Sequence, residues 1–403
     1  MSVEDYPDKG LVRREIYPWN SHEPDRYSEG SVKYLNEILQ KVAPKLAVGI
    51  TELDDLAVST SMYASLPRSH GCARLMLIPS RDTSFKIKQL GIFANEDLQP
   101  GELVLDELSF LTATSRINDT FCDACSASLT MSADQSPVPC QECLETVFCS
   151  PSCADSAPLS YHAVLCDADV SSLAKEDVPP TEAADALYFL LVARAIAMAE
   201  TRGLHPLDLD EVKWIWGDFV TTSASPGPFF DPHNERQTTL PFTFKYHVLM
   251  PLHLLEKLDI NPFTAYSYNT WVINTLFAKF RGVASARQSL AGDGRPEVGA
   301  VHPLWCLANH SCDPNVRWEW QGGMRFWTRC QEELVKWGTP EKSKCDWKGI
   351  KAGEEILSHY CDVDLQVRER REWAAGALGG LCQCPRCVWE AGEDKCIHSG
   401  SAK

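Results

Sequence analysis

The chain lacks a long hydrophobic run. Its most apolar stretch, LYFLLV at 187–192, is flanked by Asp185 and Arg194. A membrane-spanning helix needs roughly 20 consecutive apolar residues, so this stretch is far too short. We therefore predict a buried helix over about 182–200 and no membrane partner.

Positive charge is also scarce. The 38 Lys and Arg residues are outnumbered by 55 Asp and Glu residues, which gives a net charge of −17. A surface for nucleic acid or for anionic lipid needs clustered basic residues, so no direct nucleic-acid partner is expected. The acidic balance suits a basic partner such as a lysine-rich peptide, although it can also serve solubility alone.

No secretory signal is expected, because Met1 is followed by the polar, acidic stretch SVEDYPDKG. The segment RERRE at 368–372 mixes charges and favours a solvated helix over a nuclear import signal. We expect a protein of the nucleus and/or cytoplasm, both of which are reducing. There, the 17 cysteines indicate metal binding rather than disulfides. The length of 403 residues, with no internal repeats, suggests two or three modules.

Ligand pairs of the kind that bind zinc are concentrated between residues 122 and 166. The pairs are Cys122 and Cys125, Cys140 and Cys143, Cys149 and Cys153, and His162 and Cys166. Zinc takes four nitrogen or sulfur ligands in a tetrahedron, and a gap of two or three residues lets one turn supply two of them. Four pairs make two closed sites with no position for water, so their role should be structural.

A second cysteine cluster, CQCPRC, provides Cys382, Cys384 and Cys387. Three ligands are one fewer than a structural zinc needs. Cys312 is a candidate for the fourth, and the alternative is a lone knuckle or a set of reactive thiols.

Cys312 lies in the turn CLANHSCDPN at 306–315, which also holds Asn309 and His310. From the residue types alone, three interpretations stay open. The turn could be a metal corner, a nucleophilic Cys/His site or a ligand-binding turn.

The spacing of the first cluster, with FCSPSCADSAPLSYHAVLC as its most specific stretch, resembles the MYND zinc finger. That resemblance implies interleaved ligand sets. One zinc would be held by Cys122, Cys125, Cys149 and Cys153, and the other by Cys140, Cys143, His162 and Cys166. It also implies a protein-interaction module that binds a proline-rich peptide partner.

Three further blocks, NHSCDPN, GEEILSHYCD at 353–362 and CQCPRC, resemble in this order a SET domain followed by a post-SET zinc site. Upstream, LGIFANEDLQPGELVLDE at 90–107 is similar to the opening strands of that family, in which Gln89 replaces a usual glycine. With the inserted finger, the chain resembles the SET and MYND domain-containing protein-lysine methyltransferases, of a fungal type.

The resemblance implies an α+β fold, with a mostly β SET domain whose C-terminal strand is threaded. The implied domains are an N-terminal extension (1–80), the first part of the SET domain (81–121), a MYND-type finger (122–166), a helical SET insert (167–296), the SET core (297–362) and the post-SET region (363–403).

The same resemblance implies S-adenosylmethionine-dependent methylation of protein lysines. Tyr360 would be the catalytic hydroxyl and would also contact the cofactor. Gly91 would allow close approach of the cofactor, Asn309 would bind its methionine end, and His310 would bind the adenine mainly through its backbone. Cys312 would complete a third zinc site with Cys382, Cys384 and Cys387, the three tail cysteines.

Histone tails are the favoured substrate of such an enzyme, because an acidic protein attracts a basic peptide. A non-histone protein is a competing substrate. A non-catalytic MYND/SET adapter that recruits partner proteins is the alternative from another class, and Gln89 is the residue that favours it.

Overall fold

The structure is a computed structural model. It describes residues 11–13, 24–54, 86–115, 120–129, 136–174, 178, 183–216, 239–241, 244–261, 263, 265–288, 295–338, 347–378 and 381–399. Helices and small sheets are mixed along these ranges, so the predicted α+β class is confirmed.

The α-helices of the described residues are α1 (Glu29–Val42), α2 (Pro151–Ala157), α3 (Ala163–Leu165), α4 (Ala183–Arg202), α5 (Asp210–Lys213), α6 (Met250–Lys257), α7 (Thr270–Val283), α8 (Val367–Leu378) and α9 (Pro385–Ser399). Single turns of tighter or wider helix lie at Pro158–His162, Val170–Ala174, Pro206–Asp208, Lys245–Leu249, Tyr266–Tyr268, Trp305–Leu307 and Gln331–Glu333.

The strands are β1 (Leu11–Arg13), β2 (Leu46–Asp54), β3 (Lys86–Ala94), β4 (Leu103–Leu108), β5 (Leu111–Thr114), β6 (Val138–Pro139), β7 (Val147–Phe148), β8 (Thr239–Pro241), β9 (Ser285–Gln288), β10 (Pro296–Val301), β11 (Asn309–His310), β12 (Val316–Trp320), β13 (Gly323–Thr328) and β14 (Leu357–Ser358). They form two- and three-stranded sheets in the described residues, in the orders β1-β8, β2-β3, β5-β10-β9, β6-β7, β11-β14 and β12-β13-β4.

Helix α1 begins where the Ser28 hydroxyl accepts a hydrogen bond from the Ser31 amide, which satisfies one of the free N–H groups of the first turn. Leu35 and Leu39 are four residues apart and therefore share one face, and both are fully buried. This face packs on β2, which pairs with β3 in nine consecutive antiparallel positions. Residues 29–54 of the predicted N-terminal extension are thus part of the fold around β3.

Helix α4 contains the apolar stretch 187–192 and is buried on nearly all sides. It packs against α7 and against strands β5 and β10. A helix that is hydrophobic all round belongs in the core of a protein or in a membrane. Among the described residues, no helix combines the length and the apolar character that a membrane span requires.

The chain near residue 356 passes between strand β3 and the turn at 309–315. The Ile356 amide donates to the Ile92 carbonyl (2.7 Å) on one side. On the other side, the amides of Ser311 and Asn315 donate to the carbonyls of Ser358 and Leu357. The short strands β11 and β14 pair in parallel at this point. This arrangement brings the motifs around Gly91, Asn309 and Tyr360 together.

Candidate functional site

A buried carboxylate holds the start of the turn that carries Asn309. Glu107 accepts the amides of Leu304 (2.9 Å) and Trp305 (2.7 Å), which lie at the start of the helical turn that leads to Asn309. Burial raises the pKa of Glu107 to about 7, even though these two hydrogen bonds favour the charged form. The sequence interpretation missed this role, because nothing in the local sequence distinguishes Glu107 from other polar residues of a strand.

Asn309 and Glu355 meet above Gly91. The Asn309 Nδ2 donates to the Leu90 carbonyl (3.0 Å) and to Glu355 Oε1 (2.6 Å). A Cβ on Gly91 would lie 2.6 Å from that same carboxylate oxygen and 3.2 Å from Asn309 Nδ2, which is too close for any other residue. Position 91 must therefore be a glycine, because Glu355 and Asn309 lie so close to its backbone. The sequence reasoning had assigned that requirement to the cofactor.

Tyr360 is held through its hydroxyl, which donates to the Ala308 carbonyl (2.9 Å). Burial raises its pKa above the ordinary value, and the nearby acidic groups of Cys306 and Glu355 act in the same direction when they ionise. The phenol is therefore neutral at physiological pH, and its oxygen can still accept a hydrogen bond. Burial likewise raises the pKa of Glu355, whereas the hydrogen bond from Asn309 lowers it.

These groups suit a cationic ligand. The half-buried Glu355 carboxylate and the Asn309 amide meet at Gly91, and the neutral Tyr360 hydroxyl is bound one residue before Asn309. Oxygen acceptors of this kind favour a positively charged group. Gln89 lies two residues before Gly91 on β3 and pairs with Thr51 on β2. Asn274, on α7, is half-buried, and its Oδ1 has no hydrogen-bond partner in the described residues.

The eight predicted ligands of the finger gather in two groups. One contains Cys122, Cys125, Cys149 and Cys153, and the other contains Cys140, Cys143, His162 and Cys166. This is the interleaved grouping that the MYND resemblance implies. The ligand atoms of each group all lie within 4.8 Å of one another.

The spacing within these groups fits a zinc tetrahedron. A Zn–S bond of about 2.3 Å puts two sulfurs about 3.8 Å apart. The sulfurs of Cys149 and Cys153 are 3.7 Å apart, and those of Cys140 and Cys166 are 3.8 Å apart. Cys143 Sγ lies 3.7 Å from His162 Nε2.

The finger is fixed to the rest of the fold by a buried ion pair. Arg194, on α4, donates to a carboxylate oxygen of Asp123 (2.7 Å), which lies between two finger ligands. The same oxygen accepts the Tyr161 hydroxyl (2.8 Å), and the Arg194 guanidinium lies 3.3 Å from the centre of the Tyr161 ring. Tyr161 directly precedes the ligand His162.

The tail cysteines meet Cys312. The sulfurs of Cys312, Cys382, Cys384 and Cys387 lie within 4.8 Å of one another. Cys312 Sγ is 3.9 Å from Cys382 Sγ and 3.4 Å from Cys387 Sγ, close to the edge of a zinc–thiolate tetrahedron.

Arginine side chains surround the tail sulfurs. Arg370 donates to Cys387 Sγ (3.7 Å), Arg371 to the Cys382 carbonyl (3.0 Å), and Arg386 to the Cys312 carbonyl (2.8 Å). Arg370 and Arg386 are both buried, and both contact Glu390. Among the described residues, Glu390 is the carboxylate that pairs with both guanidiniums, which leaves positive charge beside the sulfurs that favours thiolates around a divalent ion.

This location corrects the interpretation of RERRE as a solvated helix. Arg368 is exposed as expected, but Arg370 is among the most buried side chains in the described residues. The charge pattern alone could not reveal its partner, because that partner lies 17 positions further along the chain.

One thiol near the tail cluster was assigned only a packing role. Cys361 is buried, follows Tyr360 directly, and its sulfur lies within 4.8 Å of Cys312 Sγ and of a His310 ring nitrogen. Cys306 is also close to Tyr360, and burial raises its pKa above the ordinary value. Cys72 and Cys345 lie outside the described residues.

The His310 ring contacts both Tyr360 and Cys312. Its Nδ1 accepts the Tyr360 amide (3.0 Å), and its Nε2 lies 3.3 Å from Cys312 Sγ. Burial lowers the pKa of His310 to about 4, so the ring is neutral at physiological pH.

Comparison with known proteins agrees with this geometry. The model of the SET domain family matches residues 89–337. The histone-lysine N-methyltransferase SET5 of Vanderwaltozyma polyspora is 33% identical over 86 residues, which are 21% of this chain and 14% of that protein. The family match contains Gly91, Asn309, His310 and Cys312, and it ends before Tyr360 and the tail cysteines.

Proposed function

Because the chain belongs to the SET domain family, whose members are protein-lysine methyltransferases, we propose that it transfers a methyl group from S-adenosylmethionine to lysine side chains. One observation carries the proposal. Asn309 and Glu355 come from separate parts of the chain and meet at Gly91, where no side chain fits, and the Tyr360 hydroxyl is bound to the carbonyl of Ala308, the residue before Asn309.

The bound cofactor would supply an electrophilic methyl on a sulfonium. Asn309 and the backbone of the turn at 309–310 would hold it, and the Glu355 carboxylate would favour its positive charge. Free lysine has a pKa near ~10.4, so the site must favour its neutral amine. A water-poor site next to a sulfonium would lower that pKa.

Tyr360 would orient the lysine amine. Its hydroxyl hydrogen is directed to the Ala308 carbonyl, which leaves the oxygen to accept a hydrogen bond from the amine. A neutral phenol is a poor base, so its contribution is alignment of the nitrogen with the methyl group.

We also propose three structural zinc ions. Two would lie in the finger, as a MYND-type module, and one in the tail, as a post-SET site. The ligand types, the sulfur spacing and the buried arginines beside the tail sulfurs support this assignment. All three ligand sets are complete, so none offers an open position for catalysis.

A histone tail is our proposed substrate. It rests on the net charge of −17 and on the similarity to a protein named as a histone-lysine methyltransferase, of which the chain matches only 14%. A non-histone protein is the competing substrate. The domain limits, the proline-rich partner of the finger and a nuclear or cytoplasmic location remain proposals of the same kind.

The decisive experiment compares wild type with Tyr360→Phe. Both are incubated with labelled S-adenosylmethionine and either core histones or a proteome extract, and modified lysines are identified by mass spectrometry. We expect kcat to fall at least about 100-fold in the variant, while calorimetry gives an unchanged cofactor affinity.

Tyr188→Phe is the matched control, because Tyr188 is a partly buried tyrosine on α4, outside this site. Its turnover should stay close to that of wild type. If the wild-type protein neither binds the cofactor nor transfers methyl groups, the chain is better explained as an adapter, and the replacement of glycine by Gln89 accounts for the loss.

A further inference from the structure

The His310 imidazole takes no part in the mechanism proposed above, which uses only the backbone of this residue. The ring nevertheless contacts two important groups at once. Its Nδ1 lies 3.0 Å from the Tyr360 amide, and its Nε2 lies 3.3 Å from the sulfur of Cys312.

The hydrogen bond at Nδ1 determines the tautomer. A backbone N–H can only donate, so Nδ1 is the acceptor and carries no proton. The neutral ring then holds its hydrogen on Nε2, which faces Cys312 Sγ. A protonated nitrogen cannot bind a metal, and this excludes the group of His310, Cys312 and Cys361 as a metal site of its own.

We propose that His310 is a positioning residue that couples the tail metal cluster to the methyl-transfer tyrosine. Its Nε2–H donates to the Cys312 thiolate, while its Nδ1 fixes the backbone of Tyr360. This inference rests on the proposed function for the role of Tyr360, whereas the contact with Cys312 stands apart from it.

The coupling has a direct physical basis. Donors to a ligating thiolate orient the ligand and tune its bond to the metal. Tyr360 is then held at two points, by His310 at its amide and by the Ala308 carbonyl at its hydroxyl. The two rings lie 5.1 Å apart and tilted by 38°, so a rotation of the imidazole would displace the phenol.

Two substitutions separate the two contacts. In His310→Asn, the side-chain oxygen can replace Nδ1 as the acceptor for the Tyr360 amide, but the side chain is too short to reach Cys312. In His310→Gln, the longer amide can donate to Cys312 but does not offer an acceptor at the Nδ1 position. His205→Asn is the control, because His205 Nδ1 also accepts a backbone amide, that of Leu207 (3.2 Å).

The measurements use the full zinc-loaded chain. The rate of zinc transfer to a colorimetric chelator is measured without S-adenosylmethionine or protein substrate. The tail phase is the release of the zinc held by the tail cysteines, and it is identified by its loss in Cys384→Ser. We expect His310→Asn to accelerate this phase about 10-fold. We expect His310→Gln to lower kcat about 10- to 100-fold with KM within about twofold.

The outcomes distinguish this inference from the proposed function. If His310→Asn accelerates the tail phase but wild type never methylates, the contact with Cys312 stands and only the function fails. If wild type methylates and both variants behave like His205→Asn, the coupling is wrong. Equal loss of metal and turnover in both variants would reduce His310 to a residue needed only for folding.

Discussion

The finger and the tail gather their ligands from very different distances along the chain. All eight ligands of the finger lie between residues 122 and 166, whereas Cys312 is 70 positions from Cys382. A metal bound in the finger orders a local segment that could not form a core by itself. A metal bound in the tail closes a long loop that contains Tyr360, and so it constrains the candidate active site.

The two regions also balance their buried charges differently. In the finger, Asp123 and Arg194 neutralise each other beside the ligands. In the tail, Arg370 and Arg386 share Glu390, and the remaining positive charge faces the sulfurs. The finger should therefore stay attached to the core without its metals. Arg370 and Arg386, by contrast, need the negative charge of the tail thiolates to balance their own positive charge.

The largest expected effect is the difference between Cys312→Ser and Cys140→Ser. Each should remove one zinc ion, because each takes a ligand from a closed site. Cys312→Ser should also reduce methyl transfer more than about 100-fold, since the turn with Asn309 loses its link to the tail. Cys140→Ser should cost less than about fivefold, because the finger keeps its ion pair with α4.

Zinc content by plasma mass spectrometry and methyl transfer on the same samples test this comparison. Cys330→Ser is a suitable control, because Cys330 belongs to none of the three ligand groups. If Cys140→Ser is as inactive as Cys312→Ser, the finger is as important to the active site as the tail.

The second comparison concerns stability and metal binding and uses Arg194→Met and Arg370→Met. Arg194→Met leaves Asp123 buried without its cation and should lower the free energy of unfolding by about 3–5 kcal/mol, with or without metal. Arg370→Met should instead weaken zinc binding by the tail about 10-fold and alter stability only in the zinc-loaded protein.

Urea unfolding with and without chelator, together with zinc competition, distinguishes the two. Arg368→Met is the control, because Arg368 is on the same helix as Arg370 but is exposed to solvent. An equal loss of stability in the two buried variants under chelator would show that the tail arginine does not depend on the thiolates.

Sequence reasoning identified the ligand pairs, the buried helix and the turn at 306–315, because each has a short spacing or a local periodicity. Helix α4 at Ala183–Arg202 lies within two residues of the predicted limits. The twelve ligands also fall into the three groups that the resemblances imply, although the identity of the metal is a proposal.

What the sequence did not reveal depends on contacts between distant residues. Glu107 supports residues almost 200 positions away, and Arg194 reaches a finger residue 71 positions before it. Gly91 is a site of close approach, but the neighbours that the structure shows are Glu355 and Asn309, and approach of the cofactor stays a prediction. No local sequence pattern encodes these pairings, because they depend on the tertiary fold.

The smallest effect on stability concerns the two buried carboxylates. Among the described residues, Asp123 has a cationic partner, whereas Glu107 accepts two backbone amides. The pKa of Glu107 is raised to about 7 in the folded protein, from an ordinary value of 4.5. Folding therefore favours its protonated form. The stability this provides is full below about pH 4.5 and is lost as the pH rises to about 7, a change of about 3 kcal/mol.

Glu107→Gln should remove this dependence, because an amide does not titrate. We expect the difference in unfolding free energy between wild type and Glu107→Gln to change by about 2 kcal/mol from pH 5.5 to pH 7.5, with wild type losing stability on the alkaline side. Urea unfolding at both pH values measures it, with Glu319→Gln on the exposed face of β12 as the control. A constant difference would mean that Glu107 is ionised in the folded protein. The turn carrying Asn309 would then be held by a charge that the two amides alone stabilise.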